Sequence, residues 1–224
     1  NADDESIVVK FSSDDSNGIE ASFKEQIENV VKTFPIEYTI EIDEPYLDEK
    51  RYNHVVRVAE CAVELAKIYN VNVEKVEASA WLHDVAKFFN LSVMVDLTRG
   101  KYPEVADKMS QSTAVLHGFA GAEFVRQNYD LFGVDDEEIL DGIKYHTIGC
   151  ENMNTLAKIV YLADAIEEKR SWEGVEKARE LAKTDLDEAI KFEIEEKLKY
   201  LLAKDSIIHP NVIKFRNSII ANKI

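Results

Sequence analysis

Residues 78–90, ASAWLHDVAKFFN, read as one apolar helix except for His83, Asp84 and Lys87 in its middle. An ionised carboxylate or ammonium inside a core is costly unless something compensates it. The same conflict recurs along the chain. His54, His117 and His146 each stand among residues that read as core, and Asp164 interrupts the apolar run IVYLADAI. One such histidine is most simply a satisfied core or capping group. Four histidines and two aspartates on successive helices are the kind of donor set with which helical bundles build metal sites. Divalent ions neutralise carboxylates and take neutral imidazoles, so metal binding would resolve the conflict.

The spacing also proposes roles. Adjacent helical residues diverge by about 100°, so His83 and Asp84 share an ion only if it lies above the groove between them. His54 and Asp164, from other helices, would close that shell. Asp84 can then bridge to a second ion held by His117 and His146, with positions left for water and phosphate oxygens, as two-metal hydrolysis requires. A water acidified by the ions would be the nucleophile. Four imidazoles and no thiolate favour iron, manganese, cobalt, nickel or zinc over magnesium or calcium, without choosing among the five.

Asp84 and Lys87 are the candidate catalytic residues. Lys87 lies one turn beyond Asp84 on the same side of the helix, where its ammonium can meet a phosphate oxygen. Arg51 and Arg57 flank His54 as candidate ligands of a distal phosphate, with an exposed helix face as the alternative. Thr147, followed by Gly149, could form a tight turn that admits substrate, or a plain helix C-cap. Arg170 is a substrate candidate that could instead pair with Glu167 or Glu173. His209, before Pro210, reads as a helix-start residue.

The elements that must position these groups are almost all helices. Apolar residues recur at three and four from Asp48 to Tyr69, with Asp48 as N-cap. Further helices are predicted over 73–89, 112–129 and 136–146, the last opened by a capping box of Asp135 and Glu138. Asn154 starts a fifth, followed by helices near 174–182 and 184–203 and one opened by Pro210. The charged run 187–199 reads as a solvated face. With 8 glycines and 4 prolines in 224 residues, connections are short, which predicts an all-α bundle. Only SIVVKF and EYTIEID near the N-terminus alternate like strands, and an amphipathic run spans Ile19 to Phe34.

Composition narrows the function. A net charge of −16 argues against a broad nucleic-acid surface, so an anionic substrate must be met locally by metals or a few basic side chains. No stretch approaches a membrane span and NADDESIVVK lacks the regions of a signal peptide, which makes the cytoplasm the expected compartment. Cys61 and Cys150 form no disulfide framework or thiolate zinc motif.

His54, then His83-Asp84, then Asp164 form an H…HD…D pattern, and the chain resembles the HD-domain phosphohydrolases. The segments EKRYNHVVRVAECAVELA, LHDVAK, VLHGFAGAEFV, DEEILDGIKYHTIG, KIVYLADAIEEKR and GVEKARELAKTDLDEAI are similar, in order and spacing, to the YqeK family, over about Tyr46 to Ala203. Ile148, Phe119 and the stretch before Arg170 depart from that pattern, and none is a candidate ligand. The resemblance implies an all-α HD-domain bundle over 45–224, with 1–44 as an N-terminal extension. It implies two divalent metals, iron foremost, and symmetrical hydrolysis of diadenosine tetraphosphate to two ADP. A homodimer is compatible with it. Hydrolysis of another nucleotide phosphoester and non-catalytic nucleotide binding are the alternatives, the latter disfavoured because all six ligand positions are filled.

Overall fold

The structure, a computed structural model, describes residues 49–222. The boundary near residue 45, the two strand-like segments, the run from Ile19 to Phe34 and the Asp48 cap lie outside the described residues. Every regular element among the described residues is a helix: α1 (Glu49–Tyr69), α2 (Val73–Leu82), α3 (Leu91–Lys101), α4 (Pro103–Lys108), α5 (Thr113–Gln127), α6 (Tyr129–Phe132), α7 (Glu137–Tyr145), α8 (Thr155–Ile166), α9 (Val175–Ala182), α10 (Leu186–Ala203) and α11 (Pro210–Ala221). None is long and apolar enough to cross a membrane.

Side-chain caps set several starts. Asn154 accepts from Ala157 N at 2.8 Å, Asp185 from Glu188 N at 2.8 Å, and His209 Nδ1 from Asn211 N at 3.1 Å ahead of Pro210. At α7 the cap is Asp136, not Asp135, because the Asp136 carboxylate reaches the N–H groups of both Glu138 and Ile139.

The helix expected over 73–89 ends earlier, at Leu82. His83 Nδ1 donates to the Ala80 carbonyl at 2.6 Å, the acceptor that the Asp84 N–H would use in a continuing α-helix. The backbone then tightens into i→i+3 turns, Val85 N to Leu82 O, Lys87 N to Asp84 O and Phe89 N to Ala86 O. Helices α3, α4 and α6 were not predicted. Asn90 makes no side-chain cap, and α4 and α6 are too short to show a period.

A helix apolar on all sides has to be central. In α8, Ile159, Val160, Tyr161, Leu162 and Ala163 are buried, and the helix packs against α1, α2, α7, α9 and α10. Around it α1 packs on α2, α5 on α3 and α7, and α11 on α10. The charged run of α10 is only partly solvated. Glu193 is buried, accepts from Tyr161 Oη at 2.6 Å and pairs with Lys197 at 3.0 Å, tying α10 to α8. Arg179 from α9 closes the C-terminal turn of α8, donating to the carbonyls of Ile166, Glu167 and Arg170 at 2.8, 2.6 and 3.0 Å.

Candidate metal centre

Five elements bring the six candidate ligands together. His54 comes from α1, His83 and Asp84 from the turn after α2, His117 from α5, His146 from the end of α7, and Asp164 from the last turn of α8. His83 is 0 % exposed, His117 1 %, His146 2 % and Asp84 3 %, while Asp164 is half-buried.

Asp84 sits between two pairs of imidazoles. Its Oδ2 lies 3.6 Å from His83 Nε2 and 4.0 Å from His54 Nε2, and its Oδ1 lies 3.1 Å from His117 Nε2 and 3.6 Å from His146 Nε2. Asp164 Oδ1 is 3.1 Å from His54 Nε2. Ligand atoms within 4.8 Å of one another form three overlapping groups: His54, His83 and Asp84; His83, His146 and Asp164; Asp84, His117 and His146.

Every imidazole is oriented through Nδ1. His83 donates to Ala80 O, His117 to Thr113 O at 2.9 Å, His146 to Ile143 O at 2.8 Å, and His54 to the Glu167 carboxylate at 3.2 Å. These partners only accept, so each Nδ1 carries a proton, and with cations in place between the carboxylates each Nε2 would present a lone pair to the cluster. The His117 and His146 Nε2 atoms lie 2.9 Å apart, and the buried Nε2 atoms of His54 and His83 have no hydrogen-bond donor. Imidazole nitrogens and carboxylate oxygens converging in this way fit a cation. His83 and His146 also occupy the C-caps of α2 and α7, where the helix dipole favours positive charge.

The electrostatics agree. Burial pushes the His83 imidazole down to about 4 and lowers His146, keeping both neutral. Burial also works to raise the Asp84 carboxyl, but the positive charge of its neighbours, Lys87 among them, outweighs it and holds the group well below the usual carboxylate range. At Asp164 burial is likewise outweighed, chiefly by His54 and Arg170.

A close helix crossing sets the gap between His117 and His146. A Cβ on Gly118 would lie 2.8 Å from the Lys144 carbonyl oxygen and 3.2 Å from that of Ile143, both backbone atoms of α7. Gly118→Ala is therefore expected to cost about 1–3 kcal/mol through overpacking, measured by denaturant unfolding of the metal-free protein. A crystal structure of the variant should show the two imidazoles further apart.

The basic candidates separate. Lys87 Nζ lies 3.4 Å from Asp84 Oδ1 and 3.2 Å from His117 Nε2, Arg51 donates to Asp84 Oδ2 at 2.7 Å, and Arg170 donates to Asp164 Oδ1 at 2.5 Å. Arg170 thus pairs with Asp164, not with Glu167 or Glu173. Arg57 does not join the others on the cluster carboxylates. Its Nε donates to Glu167 Oε2 at 2.6 Å. Thr147 is half-buried beside His146, and its carbonyl accepts from Lys197 at 3.3 Å. The following Gly149 has φ of +66°, with Phe215 of α11 where a Cβ would stand. Glu167 was missed as a partner of His54. The sequence signal was its position one turn after Asp164, matching Arg57 one turn after His54.

A helical bundle that gathers H…HD…D side chains in this way defines an HD-domain protein, and the HD domain family matches residues 51–169. The cluster and the domain together indicate divalent-metal binding. The chain belongs to the HD-superfamily hydrolases, and within them to the YqeK type. It is 38% identical to a Halalkalibacterium halodurans protein named bis(5'-nucleosyl)-tetraphosphatase, symmetrical, over 81% of this chain and 95% of the relative. A Bacillus subtilis protein of the same name is 36% identical, over 78% of this chain and 92% of its own. A Clostridium acetobutylicum crystal structure, described as a predicted HD superfamily hydrolase involved in NAD metabolism, superposes with a TM-score of 0.77 at 31% identity, covering 89% of this chain and 97% of that one.

Proposed function

We propose that this chain hydrolyses diadenosine tetraphosphate symmetrically to two ADP. The observation that carries the reading is a buried carboxylate, Asp84, shared between two pairs of inward-facing imidazoles and rimmed by Arg51, Lys87 and Arg170. His54, His83, Asp84 and Asp164 would hold one divalent ion, and Asp84, His117 and His146 a second. The nitrogen and oxygen donor set suits a transition metal without choosing among iron, manganese, cobalt, nickel and zinc, and the family resemblance puts iron first. Bound there, the ions would supply positive charge and a water acidified to near-neutral pKa.

One water is consumed. It adds to a β-phosphorus, the bond from that phosphorus to the central bridging oxygen breaks, and two ADP result. Lys87 sits beside the His117 and His146 pair, where its ammonium can meet the phosphoryl oxygens as their charge grows. Arg51 and Arg170, drawn to Asp84 and Asp164 without substrate, are half-exposed and can turn to the flanking phosphates. Thr147 bounds the nucleotide's path beside His146. Residues 45–224 are the catalytic unit in this reading, and 1–44 an extension to it.

Chromatography of products from the metal-loaded chain tests it. ADP alone is the expected product. AMP and ATP in equal amounts would mean asymmetric attack, and no turnover with any of the five metals would leave a nucleotide-binding module.

A further inference from the structure

Three of the four imidazoles are oriented by a carbonyl of their own helical turn. His54 is the exception. Its Nδ1 donates to Glu167, 113 residues away, and of the four Nδ1 atoms it is the one that faces a carboxylate. Glu167 is 3 % exposed and its carboxylate is held on every side that the structure records. Arg57 Nε donates to Oε2 at 2.6 Å, the Lys169 N–H to Oε2 at 2.7 Å, and Arg57 Nη2 approaches Oε1 at 3.4 Å. Arg179 fixes the backbone beneath it by taking the Glu167 carbonyl. A buried carboxylate held this firmly presents one oxygen to His54 in a fixed direction.

We propose that Glu167 is the positioning residue of His54, fixing its Nδ1–H form and raising the donor strength of Nε2 so that one ion of the pair is held more tightly. The inference rests on the two-ion reading above. A carboxylate behind a ligating histidine orients the ring and increases its basicity, and losing such a partner typically weakens metal affinity by about 10–100-fold. The simpler role, an ion pair joining α1 to the turn after α8, would make Arg57 and Glu167 equivalent. They are not equivalent toward His54, because only Glu167 touches it.

Glu167→Gln separates the two. A glutamine has one acceptor oxygen for Arg57 Nε, Lys169 N–H and His54 Nδ1–H together. The two Oε2 donors claim it, and the amide NH₂ then faces His54 and favours the opposite tautomer. Arg57→Met breaks the ion pair while leaving the carboxylate on His54.

The experiment is a Co²⁺ titration of the full metal-free chain, wild type and both variants, by calorimetry and by visible d–d absorption. Circular dichroism checks each fold. The expected result is two sites in the wild type, one of them about 10–100-fold weaker with an altered d–d band in Glu167→Gln, and both unchanged in Arg57→Met. A two-site wild type whose Glu167→Gln variant keeps both affinities, or loses both equally, overturns the inference alone. A wild type that takes up no Co²⁺ overturns the two-ion reading with it. Nitrogen-15 NMR of His54 in the metal-free wild type gives a second decision that depends on no variant. A proton at Nδ1, in the Nδ1–H tautomer or in the imidazolium between Glu167 and Asp164, supports the proposal, and the Nε2–H tautomer overturns it.

Discussion

Asp84→Ala is expected to bind neither ion and to turn over at least about 10⁴-fold more slowly, the scale seen when a catalytic unit loses a member. The reason is position. Asp84 sends one oxygen toward His54 and His83 and the other toward His117 and His146, so its removal opens both shells at once. Asp164 lies at His54 and cannot replace it. The fold should survive, because Arg51 and Lys87, which pair with Asp84, are 29% and 31% exposed and can turn to water. Elemental analysis, circular dichroism and initial rates on one preparation decide the matter. One ion retained with a near-normal rate would show that Asp84 is not shared and that the centre is mononuclear.

His117→Ala should lose one ion and keep the other, with turnover again reduced on the order of 10⁴-fold. Removing a neutral imidazole leaves no unpaired carboxylate, so this variant should remain well folded. Asp84 keeps His83 and Lys87. His117 enters a single ligand grouping, with Asp84 and His146, whereas His146 also groups with His83 and Asp164. His146→Ala should therefore loosen the second ion and weaken the first. Equal metal content and near-normal rates in both variants would make these histidines structural and collapse the site to a single HD centre.

Much of this candidate centre was legible in the sequence because its six side chains break a rule. A histidine or aspartate inside an apolar helical period carries an energetic cost that a reader of the sequence can see, and the fold gathers six such positions into one cluster. The long helices were legible for the same reason, through periodicity and through caps such as Asn154 and Asp185. What sequence hides is pairing across space. Arg57 has the type and spacing of a phosphate ligand, and only the docking of α1 against the turn after α8 gives it to Glu167. The end of α2 at Leu82 was hidden too. No glycine or proline marks it, and the signal is a side chain taking a backbone carbonyl. Glu193 looked solvated because charge runs usually are, yet its buried partner Tyr161 belongs to another helix.

The way the rings are anchored also sets an order of assembly. His83, His117 and His146 point correctly once a single turn of their own helix exists, an event on the microsecond scale or faster in a folding chain. His54 must wait for contact across 113 residues, after α1, α8 and the turn that follows α8 have docked. Three of the four nitrogens are thus aimed by local structure, and the fourth only by the docked fold. Small zinc-dependent modules fold around their ion. Here the fourth ring is aimed only by docking onto the α8-centred core, so closure of the six-residue cluster follows from tertiary packing and not from local turns.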